Sequence, residues 1–78
     1  MVVRWQRWAL ATLWDSDGVV LDRRAIGGPG LPDMGSVDRI ARLLLEARRM
    51  GATVTLSQLD ERLGELIVLA GLSIEVQR

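Results

Sequence analysis

The side chains of this chain that could do chemistry are carboxylates, and three of them lie close together at Asp15, Asp17 and Asp22. Neighbouring carboxylates can coordinate a cation, or raise the pKa of one member so that it serves as an acid catalyst. Their spacing does not match a calcium-binding loop. A turn at Asp15-Ser16-Asp17-Gly18, followed by a strand, accounts for them without chemistry. We therefore expect neither a metal site nor acid–base catalysis here.

The residue types that are missing restrict the chemistry further. The chain has no Cys and no His, and all ten of its basic residues are Arg. It therefore has no thiolate nucleophile, no imidazole base, no zinc site of the usual ligands and no disulfide. Only carboxylates, Arg, Ser and Thr remain as reactive groups. We expect a protein that is not an enzyme and that carries no cofactor.

Charge and hydropathy argue against two further kinds of partner. Ten basic and ten acidic residues give a formal net charge of zero, which does not favour nucleic-acid binding. The longest apolar run, Leu66–Leu72, is far shorter than the roughly 20 residues of a membrane span. The first residues do not resemble a secretory signal. We expect a cytoplasmic protein that neither binds nucleic acid nor inserts into a membrane.

The N-terminal segment Val3–Trp14 contains no Gly or Pro, and its apolar residues fit helical spacing. Such a helix would be apolar nearly all round and would need cover on more than one face. Its tryptophans lie beside Arg4 and Arg7 and could contact a membrane surface or nucleic-acid bases. Core packing or a protein interface is the simpler interpretation. We expect an oligomer interface that includes Trp5, Trp8 and Trp14.

Two strand and loop segments follow this helix. Val19–Leu21 begins a buried strand, and Gly27–Pro32 is too rich in Gly and Pro for regular structure. This loop precedes a helix, which is where open α/β folds often bind ligands. It lacks the glycine spacing of a nucleotide-binding loop, and Asp33 and Asp38 would repel phosphate. We do not expect a nucleotide site.

The second half of the chain contains clear signals for where helices begin and end. Ser36 is a plausible N-cap for a helix that ends at Gly51. Its buried stripe is Val37, Ile40, Ala41, Leu44, Ala47 and Met50, and alternating charges line the opposite side at Asp38, Arg42, Glu46 and Arg49. A strand with Val54 and Leu56 follows. A second helix, capped by Ser57 or Asp60, ends at Gly71, and Ile74 and Val76 indicate a last strand.

These elements predict a single α/β domain over residues 1–78. The expected order is helix-strand-helix-strand-helix-strand, with a mainly parallel sheet, flanking helices and right-handed crossovers.

The segments Val37–Leu56 and Leu63–Leu72 carry a family resemblance. Their order of helix, Gly, strand, helix and Gly-Leu is similar to that of the STAS domain, the fold of bacterial anti-sigma factor antagonists. The resemblance spans Val19–Val76 and depends on patterned hydrophobic residues and two glycines. It implies a small STAS-like domain.

The resemblance implies a non-enzymatic module of transcription regulation that binds a kinase-type anti-sigma factor. The implied partner-binding residues are Asp33, Gly35, Ser36, Arg39 and Arg42. In the family, an Asp-x-Ser motif in the loop before the helix carries a serine that the partner phosphorylates. Here Asp33 matches the Asp, but Gly35 stands at the serine position and a hydroxyl follows at Ser36. Ser36 is either a displaced phosphorylation site or a simple helix cap.

The family also begins with extra strands before its first helix, and these are missing from the predicted order. Their absence would expose a sheet edge, so we expect a homo-oligomer or a stable heteromeric partner. Two further functions remain open. One is an accessory subunit of a membrane transport complex, and the other is a structural protein that self-assembles through the exposed edge.

Overall fold

The order of the elements differs from the predicted one. The computed structural model describes residues 4–77. They form β1 (Trp5–Trp14), β2 (Val20–Pro29), α1 (Met34–Arg49), β3 (Thr53–Ser57), α2 (Glu61–Ala70) and β4 (Glu75–Gln77). The four strands make one sheet in the order β2-β1-β3-β4, in which β1 runs antiparallel to both neighbours and only β3 and β4 are parallel. The prediction of a helix-first, mainly parallel domain is therefore wrong.

The segment predicted as the first helix is the strand β1, although Val3 lies outside the described residues. β1 pairs with β2 on one side and with β3 on the other. Ala11 and Leu13 belong to the core beneath the helices, while Thr12 on the opposite face is also buried. This central strand has apolar residues on both faces, so its sequence satisfies helical spacing as well.

Strand β2 continues through two glycines that were predicted to lie in a loop. A Cβ on Gly27 would collide with the backbone carbonyl oxygen of Gln6 on β1, and one on Gly28 would lie 2.9 Å from Cη2 of Trp8. Glycine is therefore required here for close approach of β1 rather than for chain flexibility. Pro29 ends the strand at the edge of the sheet, where a missing N–H costs little.

The helix boundaries confirm most of the local signals. Gly51, which follows the C-cap Met50 of α1, and Gly71, the C-cap of α2, have φ values of 70° and 71°, as expected for helix-ending glycines. Asp60 is the N-cap of α2, and its carboxylate accepts a hydrogen bond from the Leu63 amide. The N-cap of α1 is Asp33 and not Ser36, so that part of the prediction is wrong.

One hydrophobic core lies between the helices and a single face of the sheet. Helix α1 contributes Val37, Ile40, Leu43 and Ala47, and helix α2 contributes Leu63 and Ile67. The sheet contributes Trp8, Ala9, Ala11, Leu13, Val54 and Leu56. Of the predicted α1 stripe, Ala41 and Leu44 are half-buried and Met50 is exposed. The residues 4–77 include no element that covers the opposite face of the sheet.

Candidate functional site

The first turn of α1 holds three of the predicted partner-binding residues, Asp33, Gly35 and Ser36. The Ser36 hydroxyl accepts a hydrogen bond from the Asp33 amide at 3.1 Å, and the Asp33 carboxylate accepts one from the Ser36 amide at 3.1 Å. This reciprocal pair is a capping box. Ser36 is only 2% exposed, so its hydroxyl is occupied and shielded. Asp33 and Gly35 remain exposed.

Arg39 and Arg42 lie further along α1, and the structure gives them different roles. The Arg39 guanidinium donates a hydrogen bond from Nη2 to the Gly27 carbonyl at 2.9 Å, and lies 5.7 Å from the centre of the Trp8 ring. It therefore fastens α1 to β2. Arg42 forms an exposed ion pair with Asp38, with 3.1 Å between Nη2 and Oδ2. Such pairs contribute little to stability and leave Arg42 able to contact a partner.

A groove of about 410 Å³ separates α1 from β2 and includes both arginines in its walls. Its walls also include Arg24, Ile26 and Gly27 of β2 and the exposed ring of Trp5 of β1. The sequence did not indicate that Arg24 lines this groove, because its position beside α1 depends on the hairpin of β1 and β2.

Within the same strand, Arg24 forms an ion pair with Asp22. Its Nε donates to Asp22 Oδ2 at 2.8 Å, and both side chains are about half-exposed. The hydrogen bond from Arg24, together with one from the Arg23 amide, lowers the pKa of Asp22, and the same contact raises the pKa of Arg24. Asp22 is thus held in its charged form at the edge of the sheet.

The three tryptophans do not form one surface. Trp8 is 4% exposed and donates its indole N–H to the Gly30 carbonyl at 3.1 Å. Trp14 is half-buried and donates to the Thr55 hydroxyl at 3.0 Å. Trp5 is 58% exposed. Since Trp8 and Trp14 fasten the chain to itself, only Trp5 offers a broad surface to a second molecule.

Two of the three carboxylates considered for chemistry, Asp15 and Asp22, have structural partners. Asp15 Oδ1 accepts hydrogen bonds from the amides of Asp17 and Val19, at 2.8 and 2.9 Å, and so holds the turn between β1 and β2. Asp22 is engaged with Arg24. Among residues 4–77, no three carboxylates come together in a way that could hold a metal ion.

A second groove, between α2 and the segment that enters β4, is larger and mainly apolar. It has a volume of about 680 Å³, and its walls include Leu59, Ile67, Val68, Leu69, Leu72, Ile74 and Val76. Val68 and Leu69 are 78% and 80% exposed. Large exposed apolar side chains that adjoin one another mark interaction surfaces in folded proteins. We call this surface the α2–β4 groove.

The rim of the α2–β4 groove is acidic. Glu65 lines the groove itself, and a neighbouring cavity of about 610 Å³, which shares Leu59, Gly64 and Val76 with it, adds Asp60 and Glu61. Every charged residue in the described walls of these two cavities is a carboxylate. The sequence signal was the apolar run Leu66–Ala70, which is wider than the single stripe that a core-facing helix needs.

Comparison of the chain with protein-family models, with curated proteins and with solved structures finds no match. In the part of the chain that the structure describes, no helix combines the length and the apolar character needed to cross a membrane.

Proposed function

We propose that this chain is a non-enzymatic protein-interaction module that binds a basic, amphipathic segment of a regulatory protein in the α2–β4 groove. The observation that carries the proposal is the exposure of Val68 and Leu69 in a groove of about 680 Å³. Burying one such side chain contributes about 1.5–3 kcal/mol. A partner that covers this groove therefore gains substantial free energy.

The charges around the groove select the chemistry of the partner. Glu65 lies in the wall of the apolar groove, and Asp60 and Glu61 lie in the adjoining cavity, so a matching segment has apolar residues on one face and Lys or Arg beside them. An amphipathic helix meets both requirements. Acidic or uncharged segments gain less, because the carboxylates at the rim lose hydration without acquiring a partner.

A kinase-type anti-sigma factor is the partner class that we propose, on the basis of the STAS resemblance. Two strands, β1 and β2, precede the first helix of the structure, whereas the sequence predicted one strand there, with a helix in place of β1. This removes one departure from the family pattern and supports the proposal. The burial of Ser36 supports a partner that binds without phosphorylating this residue.

The groove is tested with two synthetic helical peptides, one of Leu and Lys and one of Leu and Glu at the same spacing. In titrations followed by NMR, we expect the Leu/Lys peptide to shift amide signals of α2 and β4. Leu69→Lys should weaken this binding at least about tenfold, since it replaces an apolar contact with a like charge. Leu45→Lys is the matched control, because Leu45 is 54% exposed on α1.

The partner class is tested separately with a purified kinase-type regulator encoded near the gene. Calorimetry should detect binding that Leu69→Lys weakens and Leu45→Lys does not. Arg42→Glu tests whether the regulator binds the α1 face rather than the α2–β4 groove, because it should reduce binding only if the partner contacts Arg42. Absence of binding to any such regulator, with the peptide result intact, would refute the partner class and leave the groove assignment standing.

A further inference from the structure

Strand β2 forms one edge of the sheet, and its outer side has no strand beside it among residues 4–77. It runs for ten residues, and Leu21–Ala25 are all exposed. Helix α1 packs against β3 and α2 and reaches β2 through Arg39, which donates to the Gly27 carbonyl, so it leaves the stretch Leu21–Ala25 exposed. A free strand edge presents unpaired N–H and C=O groups that a second strand can bond.

The hydrogen bonds of Asp22 show which residues of β2 point outward. Asp22 Oδ1 accepts from the Arg23 amide at 2.8 Å. This contact is consistent with an Arg23 amide on the outer edge, because an amide that donates to a side chain is not engaged in the ladder with β1. Backbone groups alternate along a regular strand, so Arg23 and Ala25 direct their N–H and C=O groups outward. Leu21 does not follow this alternation, because the register of β2 with β1 shifts between the pairs Leu13–Asp22 and Trp14–Val20.

We propose that β2 pairs antiparallel with β2 of a second copy of this chain, with Arg23 opposite Arg23 on a two-fold axis. In this register Asp22 of each copy lies opposite Arg24 of the other, which gives two ion pairs across the interface. The regular part of this ladder covers Asp22–Arg24 of each copy, because the register of β2 shifts at Leu21. The two four-stranded sheets then become one sheet of eight strands.

The charges favour this register over its neighbours, because it is the one that sets two pairs of opposite charges against one pair of like charges. A shift of one residue is forbidden, since it would put side chains of opposite sheet faces into the same pair. A shift by two residues in one direction places Asp22 opposite Asp22, and in the other direction it places Arg24 opposite Arg24. Like charges directly opposite each other are destabilising. In the proposed register the only like pair is Arg23 with Arg23, on the open face of the sheet where long side chains can separate.

The geometry of antiparallel pairing also favours the charged contacts. Because Arg23 points its backbone groups outward, Asp22 and Arg24 form the non-hydrogen-bonded pairs, whose Cα atoms approach to about 4.5 Å. Asp22 and Arg24 already bond within one strand, so pairing needs only a change of partner. A contact of this length is smaller than a standard interface of about 1,600 Å², so we expect a dimer with dissociation in the micromolar range.

The absence of Cys allows a direct test of the register. In Arg23→Cys the two sulfurs face each other across the axis at a Cα separation of about 5.5 Å, which suits a disulfide. We expect rapid formation of a covalent dimer on mild oxidation. Leu21→Cys is the matched control, because residue 21 of one copy lies about 14 Å from residue 21 of the other in this register.

Charge reversal tests the same register independently. Asp22→Arg and Arg24→Asp should each abolish the dimer seen by light scattering, and the double variant should restore it. All these residues are exposed, so circular dichroism should show an unchanged fold. A wild-type monomer at about 500 µM, where a micromolar dimer would be saturated, overturns the proposal. So does equal cross-linking of Arg23→Cys and Leu21→Cys, or a double variant that stays monomeric.

Discussion

Ser36 is one of the two residues of the capping box at the N-terminus of α1, and Asp33 is the other. Its hydroxyl accepts from the Asp33 amide and is shielded from solvent. The sequence correctly indicated a capping role for this region, but it assigned the cap to the wrong residue. Asp and Ser are both good N-caps, and their order in the box depends on where the preceding chain turns toward the sheet.

The capping box provides a stability prediction at the residue scale. Ser36→Ala removes the acceptor of the Asp33 amide, and we expect it to lower the free energy of unfolding by about 1 kcal/mol. Urea denaturation followed by circular dichroism measures this change. Ser73→Ala is the matched control, since Ser73 is exposed in the loop before β4. Equal stability of the two variants would contradict the structural role of Ser36.

Among the elements, β1 and α2 show two ways in which local patterns mislead. β1 was predicted as a helix because both of its faces are apolar. Its pairing with β2 on one side and β3 on the other shows that it is a strand in the middle of the sheet. α2 was predicted correctly, and yet its apolar run does more than pack against the core. Leu63 and Ile67 are buried, whereas Val68 and Leu69 face outward.

The two faces of α2 lead to a prediction at the element scale. Leu63→Ala should lower the free energy of unfolding by about 2–5 kcal/mol, because Leu63 is fully buried and its truncation leaves a cavity. Leu66→Ala should cost less, since Leu66 is half-buried. Leu69→Ala should change stability by less than about 0.5 kcal/mol. Thermal and urea unfolding of the three variants would contradict this picture if Leu69→Ala proved the most damaging.

Over the whole molecule, the two proposed interaction surfaces lie at opposite edges of the sheet. The self-pairing edge is β2, and the α2–β4 groove adjoins the other edge strand. A dimer formed through β2 therefore carries its two α2–β4 grooves at the outer ends. Neither surface contributes a residue to the other.

This separation predicts that the two interactions are independent. Leu69→Lys should weaken peptide binding at least about tenfold and leave the dimer unchanged, whereas Asp22→Arg should abolish the dimer and leave peptide binding unchanged. Mutations at distant sites without shared contacts act additively. Light scattering of the wild-type protein with the Leu/Lys peptide should give two peptides per dimer. A loss of peptide binding in Asp22→Arg would show that the surfaces are coupled.

The sequence by itself determined the second half of the fold. The helices α1 and α2, the strand between them, and the endings at Gly51 and Gly71 follow from local hydrophobic spacing and from residues that adopt positive φ. Tertiary structure decided that Trp5–Trp14 is a strand, that Gly27 and Gly28 lie within a strand, and that β2 is an edge. These features depend on partners far away in the chain, such as Trp8 over Gly28. Local patterns carry no information about such pairing, so only the folded chain reveals which surfaces remain open.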